Sequence, residues 1–129
     1  MQKPKKCISV EEAIELQKKW VDTRGKDIEE CEGYEDTREF WYSLDELQEY
    51  LDYVREKSDE QEVNKPGIRI YLGAYPKTND KKSYTTIFLA PTKEKLGNSD
   101  DETTEDDNEN NYGIEPLNQN NGGFPPSDY

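Results

Sequence analysis

Apolar residues recur at helical spacing twice and alternate once along the chain, and these patterns predict its ordered elements. Val10, Ala13, Ile14, Trp20 and Val21, with Leu16 at the margin, form a broad stripe at the i, i+3, i+4 spacing of an amphipathic helix. Ser9 stands before it as an N-cap with Glu12 three residues on, a capping box, and Ile8 can staple against Ala13. Gly25 after Arg24 reads as the C-cap, so the helix is expected over about 10–24. A second stripe, Leu44, Leu47, Leu51 and Val54, follows a second capping box at Ser43 and Glu46 and predicts a helix over about 44–58. Between the two, 26–37 reads as a loop or short irregular helix, and Glu39–Tyr42 as an aromatic strand feeding the second helix.

Past Asn64-Lys65-Pro66-Gly67 the period drops to two. Ile68, Ile70, Leu72 and Ala74 alternate with Arg69, Tyr71, Gly73 and Tyr75, the signature of a strand with two distinct faces, ended by Pro76. Lys77–Ser83 then reads as a hairpin loop and Tyr84–Ala90 as the returning strand, stopped by Pro91. That strand is apolar on both faces, with Ile87 and Leu89 on one and Tyr84 and Phe88 on the other. The order helix, strand, helix, strand, strand predicts an α+β fold. A right-handed crossover would set strand 39–42 parallel to strand 68–75, giving a small three-stranded mixed sheet.

Charge changes this picture at the C-terminus. Of the 129 residues 30 are acidic and 17 basic, for a net charge of −13, and the mean hydropathy is −1.25. The imbalance is uneven: residues 1–66 carry −8, residues 67–95 carry +4 and residues 96–129 carry −9. The last part is acidic, then Asn- and Gly-rich, and offers few apolar side chains against an ordering cost of about 1–2 kcal/mol per residue. Residues 1–96 are therefore expected to form one small domain, and 97–129 a disordered acidic tail in which Tyr112, Ile114, Leu117 and Phe124 are the side chains able to dock on the domain or on a partner.

The run Ile8-Ser9-Val10-Glu11-Glu12-Ala13, then Phe40-Trp41-Tyr42-Ser43-Leu44, then Gly67-Ile68-Arg69-Ile70-Tyr71-Leu72-Gly73 and a second strand resembles small uncharacterised proteins of Bacteroidota bacteria. Those proteins also end in a glycine, aromatic and proline segment, as Gly113–Pro126 does here, although the cysteines beside their prolines have no counterpart in this chain. The resemblance implies no activity, ligand or catalytic residue.

Chemistry is bounded mainly by what is missing. The chain has no histidine, which removes imidazole-based nucleophile systems and most zinc sites. No GxxxxGK[ST], GxGxxG or GxSxG is present. A calcium loop begun at Asp106 would place Asn111 at position six and Leu117 at position twelve, where glycine and glutamate are needed. A carboxylate-pair enzyme passes the histidine test, but with 30 acids a pair is uninformative. No enzyme activity, metal or cofactor is expected. The lysines near the start precede glutamates rather than an apolar run, and no stretch approaches a membrane span, so a cytoplasmic location with Cys7 and Cys31 reduced is expected, Cys31 as a small, partly buried side chain.

Two surfaces stand out as candidate sites. The first is the basic, aromatic hairpin of Arg69, Tyr71, Tyr75, Lys77 and Tyr84, with Lys81 and Lys82 in its loop. Aromatics on a sheet face with cations at the rim suit stacked ligands, yet the net charge opposes direct nucleic-acid or membrane binding, so the expected partner is another protein. The structural alternative is that Tyr71 lies under a helix and the loop lysines discourage edge pairing. The second surface is acidic, Glu29, Glu30, Glu32, Glu35 and Asp36, and suits an immunity- or inhibitor-type protein blocking a basic nuclease or nucleic-acid-binding partner. Oligomeric state is left open.

Overall fold

The computed structural model describes residues 1–95, 107–123, 126, 128 and 129. In chain order its elements are α1 (Val10–Trp20), a π-helical turn (Val21–Gly25), α2 (Lys26–Glu32), β1 (Phe40–Trp41), α3 (Leu44–Glu60), β2 (Gly67–Ala74), β3 (Thr85–Glu94), β4 (Asn108–Asn110) and β5 (Asn121–Gly122). The chain divides into two compact units, one of residues 1–39 with 122–129 and one of residues 40–121. The fold mixes helix and strand, as the sequence patterns predict.

In the first unit the capping box forms as expected. The Ser9 hydroxyl oxygen accepts from the Glu12 N–H at 3.1 Å and donates to the Glu12 carboxylate at 3.3 Å. The helical path, however, does not stop at Gly25. That residue has φ −60° and ψ −44°, ordinary right-handed values, and the backbone passes through a π-turn directly into α2. The stop is Gly33, at φ 84°, whose N–H bonds the Glu29 carbonyl at 2.8 Å. A glycine caps a helix only where the backbone turns left-handed, and Gly33 rather than Gly25 makes that turn. Further on, Arg38 is held by Asp128 at 2.6 Å, and Gln17 donates to the same carboxylate at 3.3 Å.

In the second unit α3 starts at Ser43, which accepts from the Glu46 N–H at 3.0 Å. It ends with Val63 N–H bonding the Ser58 carbonyl and Glu62 at φ 57°. The expected mixed sheet does not form. β1 pairs with β5, and the three-stranded sheet runs β2-β3-β4, antiparallel throughout. Pro91 does not end β3 either. It faces Ile68 within the ladder, its carbonyl accepts the Asn111 N–H at 2.9 Å, and its missing N–H falls on the β4 side, so no bond to β2 is lost.

The largest departure is in the segment expected to be disordered. Residues 107–118 run along the second edge of β3. β4 pairs there, Lys95 N–H bonds the Asp107 carbonyl at 2.9 Å, and Leu89 and Leu117 exchange both backbone bonds at 2.8 and 2.9 Å. Ile114, 2% exposed, joins Tyr50, Val54 and Leu89 in the core, with Leu47, Ile68, Ile87 and Leu117 packed against them. One edge of β3 would otherwise carry unpaired backbone groups, and Ile114 and Leu117 supply the apolar burial that composition alone undercounts. Tyr112 is exposed, and Phe124 and the remainder of the acidic stretch, 96–106, lie outside the described residues.

Candidate functional site

Register decides which side chains of the hairpin share a face. Arg69 pairs with Ala90, Tyr71 with Phe88 and Gly73 with Thr86, while Tyr75 N–H bonds the Tyr84 carbonyl at 3.1 Å. Side chains alternate along a strand and align across it, so Arg69, Tyr71, Tyr75 and Tyr84 lie on one face with Phe88 and Thr86. The core residues Ile68, Ile87 and Leu89 belong to the opposite face, the one that α3 packs on. Tyr71 is therefore not under that helix. Its ring stacks on Phe88 instead, centroids 5.2 Å apart and planes within 18°.

Asn110 of β4 organises this face. Its side-chain oxygen accepts from the Arg69 guanidinium at 2.8 Å and its amide donates to the Tyr71 hydroxyl at 2.9 Å. A second Arg69 nitrogen reaches the Asn108 carbonyl at 3.5 Å. At the far end Asn118 plays the corresponding part. Tyr75 donates to its side-chain oxygen at 3.1 Å, and its amide donates to the Thr86 hydroxyl at 3.1 Å and the Ile87 carbonyl at 2.8 Å. Both asparagines use donor and acceptor at once, so the tyrosines and the arginine are oriented before any ligand arrives. A cavity of about 440 Å³ opens beside the stack, lined by Tyr71, Phe88, Pro91, Asn110 and Tyr112. A second, of about 610 Å³, lies by Lys65, Gly67, Arg69, Thr92 and Asn108. No protein-family model, curated protein or solved structure matches this chain.

Lys77, Lys81 and Lys82 sit on the exposed hairpin loop, where Thr78 N–H bonds the Lys81 carbonyl at 3.0 Å and shapes the turn. Of the acidic surface, Glu29, Glu30, Glu32 and Glu35 are exposed, but Asp36 is buried at 5% and accepts from the Thr37 N–H at 2.8 Å. Asp36 is thus turned inward onto the backbone, which leaves four glutamates outside. Cys7 and Cys31 are free thiols and both exposed, so Cys31 is not the partly buried side chain expected of it. No helix among the described residues is long and apolar enough to cross a membrane.

The shifted titrations belong to structural contacts. Burial first, then the charges of Tyr53 and Glu115, pushes Tyr50 up to about 12; its hydroxyl donates to the Glu115 carbonyl at 2.8 Å. Tyr53 donates to the Glu115 carboxylate at 2.6 Å, and that hydrogen bond raises the Tyr53 phenol and lowers Glu115. Asp128 is lowered mainly by its bond from Arg38. A carboxylate shifted downward is held as the anion, the opposite of what a proton donor needs at neutral pH.

Sequence reasoning finds Arg69, Tyr71, Tyr75 and Tyr84, and Tyr112 as a side chain able to dock, but misses Phe88, Asn110 and Asn118 as members of this face. Phe88 is readable as a face-mate of Tyr71 once the hairpin register is set. The asparagines carry no signal, because they stand in an Asn-rich run with no period and reach the sheet through a long connection.

Proposed function

We propose that the protein is a non-catalytic binding protein of the cytoplasm, acting by association with another protein through the sheet face of Arg69, Tyr71, Tyr75 and Tyr84. The observation that carries this reading is the Tyr71–Phe88 stack beside an open cavity, with Asn110 holding Arg69 and the Tyr71 hydroxyl in place. Tyrosine and arginine give large contact area at low entropic cost, and prior fixing by asparagine lowers that cost further. Lys77 and its neighbours in the loop add positive charge at the rim of an otherwise acidic molecule, which steers an acidic partner.

The test is affinity capture from the native cell with the full chain, beside an Arg69→Ala/Tyr71→Ala double variant and a Glu29→Lys/Glu30→Lys double variant. A partner held by the wild type and the glutamate variant but lost by the face variant is expected. A partner lost only by the glutamate variant, with binding that falls steeply as salt rises, would overturn the reading in favour of charge-driven inhibition of a basic protein.

A further inference from the structure

β2 is the terminal strand of its sheet among the described residues, and its free edge is unusually bare. The direction of each backbone group follows from two neighbours. Tyr75 N–H bonds across to Tyr84, and Leu89, the partner of Ile70, spends both its backbone groups on Leu117 instead. Odd-numbered residues of β2 thus bond β3, and Ile68, Ile70, Leu72 and Ala74 point their N–H and C=O groups away from the sheet. Among the described residues those outward groups meet no partner.

Natural edges are blunted by lysine, proline or a bulge on the strand. The β2 sequence Gly-Ile-Arg-Ile-Tyr-Leu-Gly-Ala has neither lysine nor proline, pairs in unbroken register, and turns its single charge to Asn110. The loop lysines stand beyond its end. On the α3 side Ile70 is 63% and Leu72 77% exposed, an apolar pair beside open backbone. Such an edge is built to receive a strand.

Charge selects the occupant. Residues 67–95 carry +4, with Lys77, Lys81 and Lys82 beyond one end of β2 and Lys65, in an ion pair with Glu94 at 3.8 Å, at the other. A second copy paired edge to edge would bring these cations together, whereas an acidic segment would be drawn to them. We infer that the free edge of β2 takes an extended segment of a partner protein in which apolar residues, seated on Ile70 and Leu72, alternate with acidic ones facing Arg69. This rests on the proposed function and names the class of partner it would use.

The test is amide hydrogen exchange by NMR on the full chain, with the blocked octapeptide acetyl-(Glu-Val)4-amide as probe and acetyl-(Lys-Val)4-amide as its control. At a concentration about ten times the dissociation constant, the acidic probe should slow exchange at Ile68, Ile70 and Leu72 about tenfold. The basic control should leave them unchanged. Ile70→Pro removes only an outward N–H, so the sheet keeps its ladder while the probe should lose its protection; Ile70→Lys is the second variant should the proline disturb folding. Unprotected β2 amides with shifted Tyr71, Tyr75 and Tyr84 ring signals would overturn the edge inference and leave the face reading standing. Silence at both amides and rings would overturn it as well, the face reading then resting on the capture experiment alone. A dimeric full chain with the Ile68, Ile70 and Leu72 amides already protected would assign the edge to a second copy and overturn it too.

Discussion

The two units invert the relation between sequence pattern and burial. The first contains the clearest helix-start signal in the chain, yet α1, the π-turn and α2 bury none of their residues, and Val10, Ile14 and Leu16 are 42–65% exposed. The second takes its most buried apolar side chain, Ile114, from a segment with no period at all. Capping and i,i+4 pairs state that a helix forms locally; they do not state what its apolar stripe meets. The asparagines of the second unit solve a different problem. Asn111, 4% exposed, accepts from Gly113 N–H at 3.0 Å, donates its amide to Gln61 at 2.7 Å and its N–H to Pro91, so a polar residue sits in the interior with both side-chain ends and its N–H partnered. A run that reads as solvated composition is a seam along an open strand edge.

This contrast breaks most visibly at its two isoleucines. Ile114→Ala should cost about 2–4 kcal/mol through lost burial and a residual cavity, whereas Ile14→Ala in α1 should stay within about 0.5 kcal/mol. Chemical denaturation of both variants measures the difference, and equal losses would mean the two units do not differ as described. Next in size is Tyr50→Phe, expected to cost about 1–2 kcal/mol because the Leu89 and Glu115 carbonyls lose a donor. Its signature is alkaline. A phenol near 10 unfolded and about 12 folded contributes stability that is complete below pH 10 and lost as pH rises toward 12. The phenylalanine variant should lose less stability than the wild type over that window, and an unchanged pH profile would contradict the burial of Tyr50.

A smaller effect of opposite sign is expected at Glu62. Its φ of 57° is left-handed, so Glu62→Gly should stabilise the second unit by about 0.5–1 kcal/mol, read as a rise in Tm. The least effect concerns the exposed Tyr53–Glu115 contact. The depressed Glu115 carboxyl contributes stability present above its ordinary value of 4.5 and lost as pH falls through the lower folded value. Glu115→Gln should remove that acid-side dependence and bring the Tyr53 phenol down toward 10, seen by ultraviolet titration.

Much of the architecture was legible, and the failures share a cause. Ser9, Ser43, the β2 alternation and the returning strand declare themselves within a few residues, because caps and pleat are local physics. Gly25 and Pro91 misled because each residue type has two uses. Glycine also tolerates a right-handed π-turn, and proline also fits a strand where its missing N–H faces away from the ladder. Strand 39–42 could not be placed in a sheet from local pattern, since pairing is chosen by residues eighty positions away. Separations of about forty positions hide Asn110 and Asn118 in the same way, so the sequence shows Arg69, Tyr71, Tyr75, Lys77 and Tyr84 without the groups that orient them.

The central claim is that residues 107–118 belong to the second unit's sheet and core. Native-state amide exchange at Leu117 and Asn111 tests it most directly, compared with Leu89 and the inward amides of β2. The account predicts that Leu117 and Asn111 exchange as slowly as those core amides, since all open together. Exchange at the rate of the exposed hairpin loop, while β2 and β3 stay protected, would contradict it.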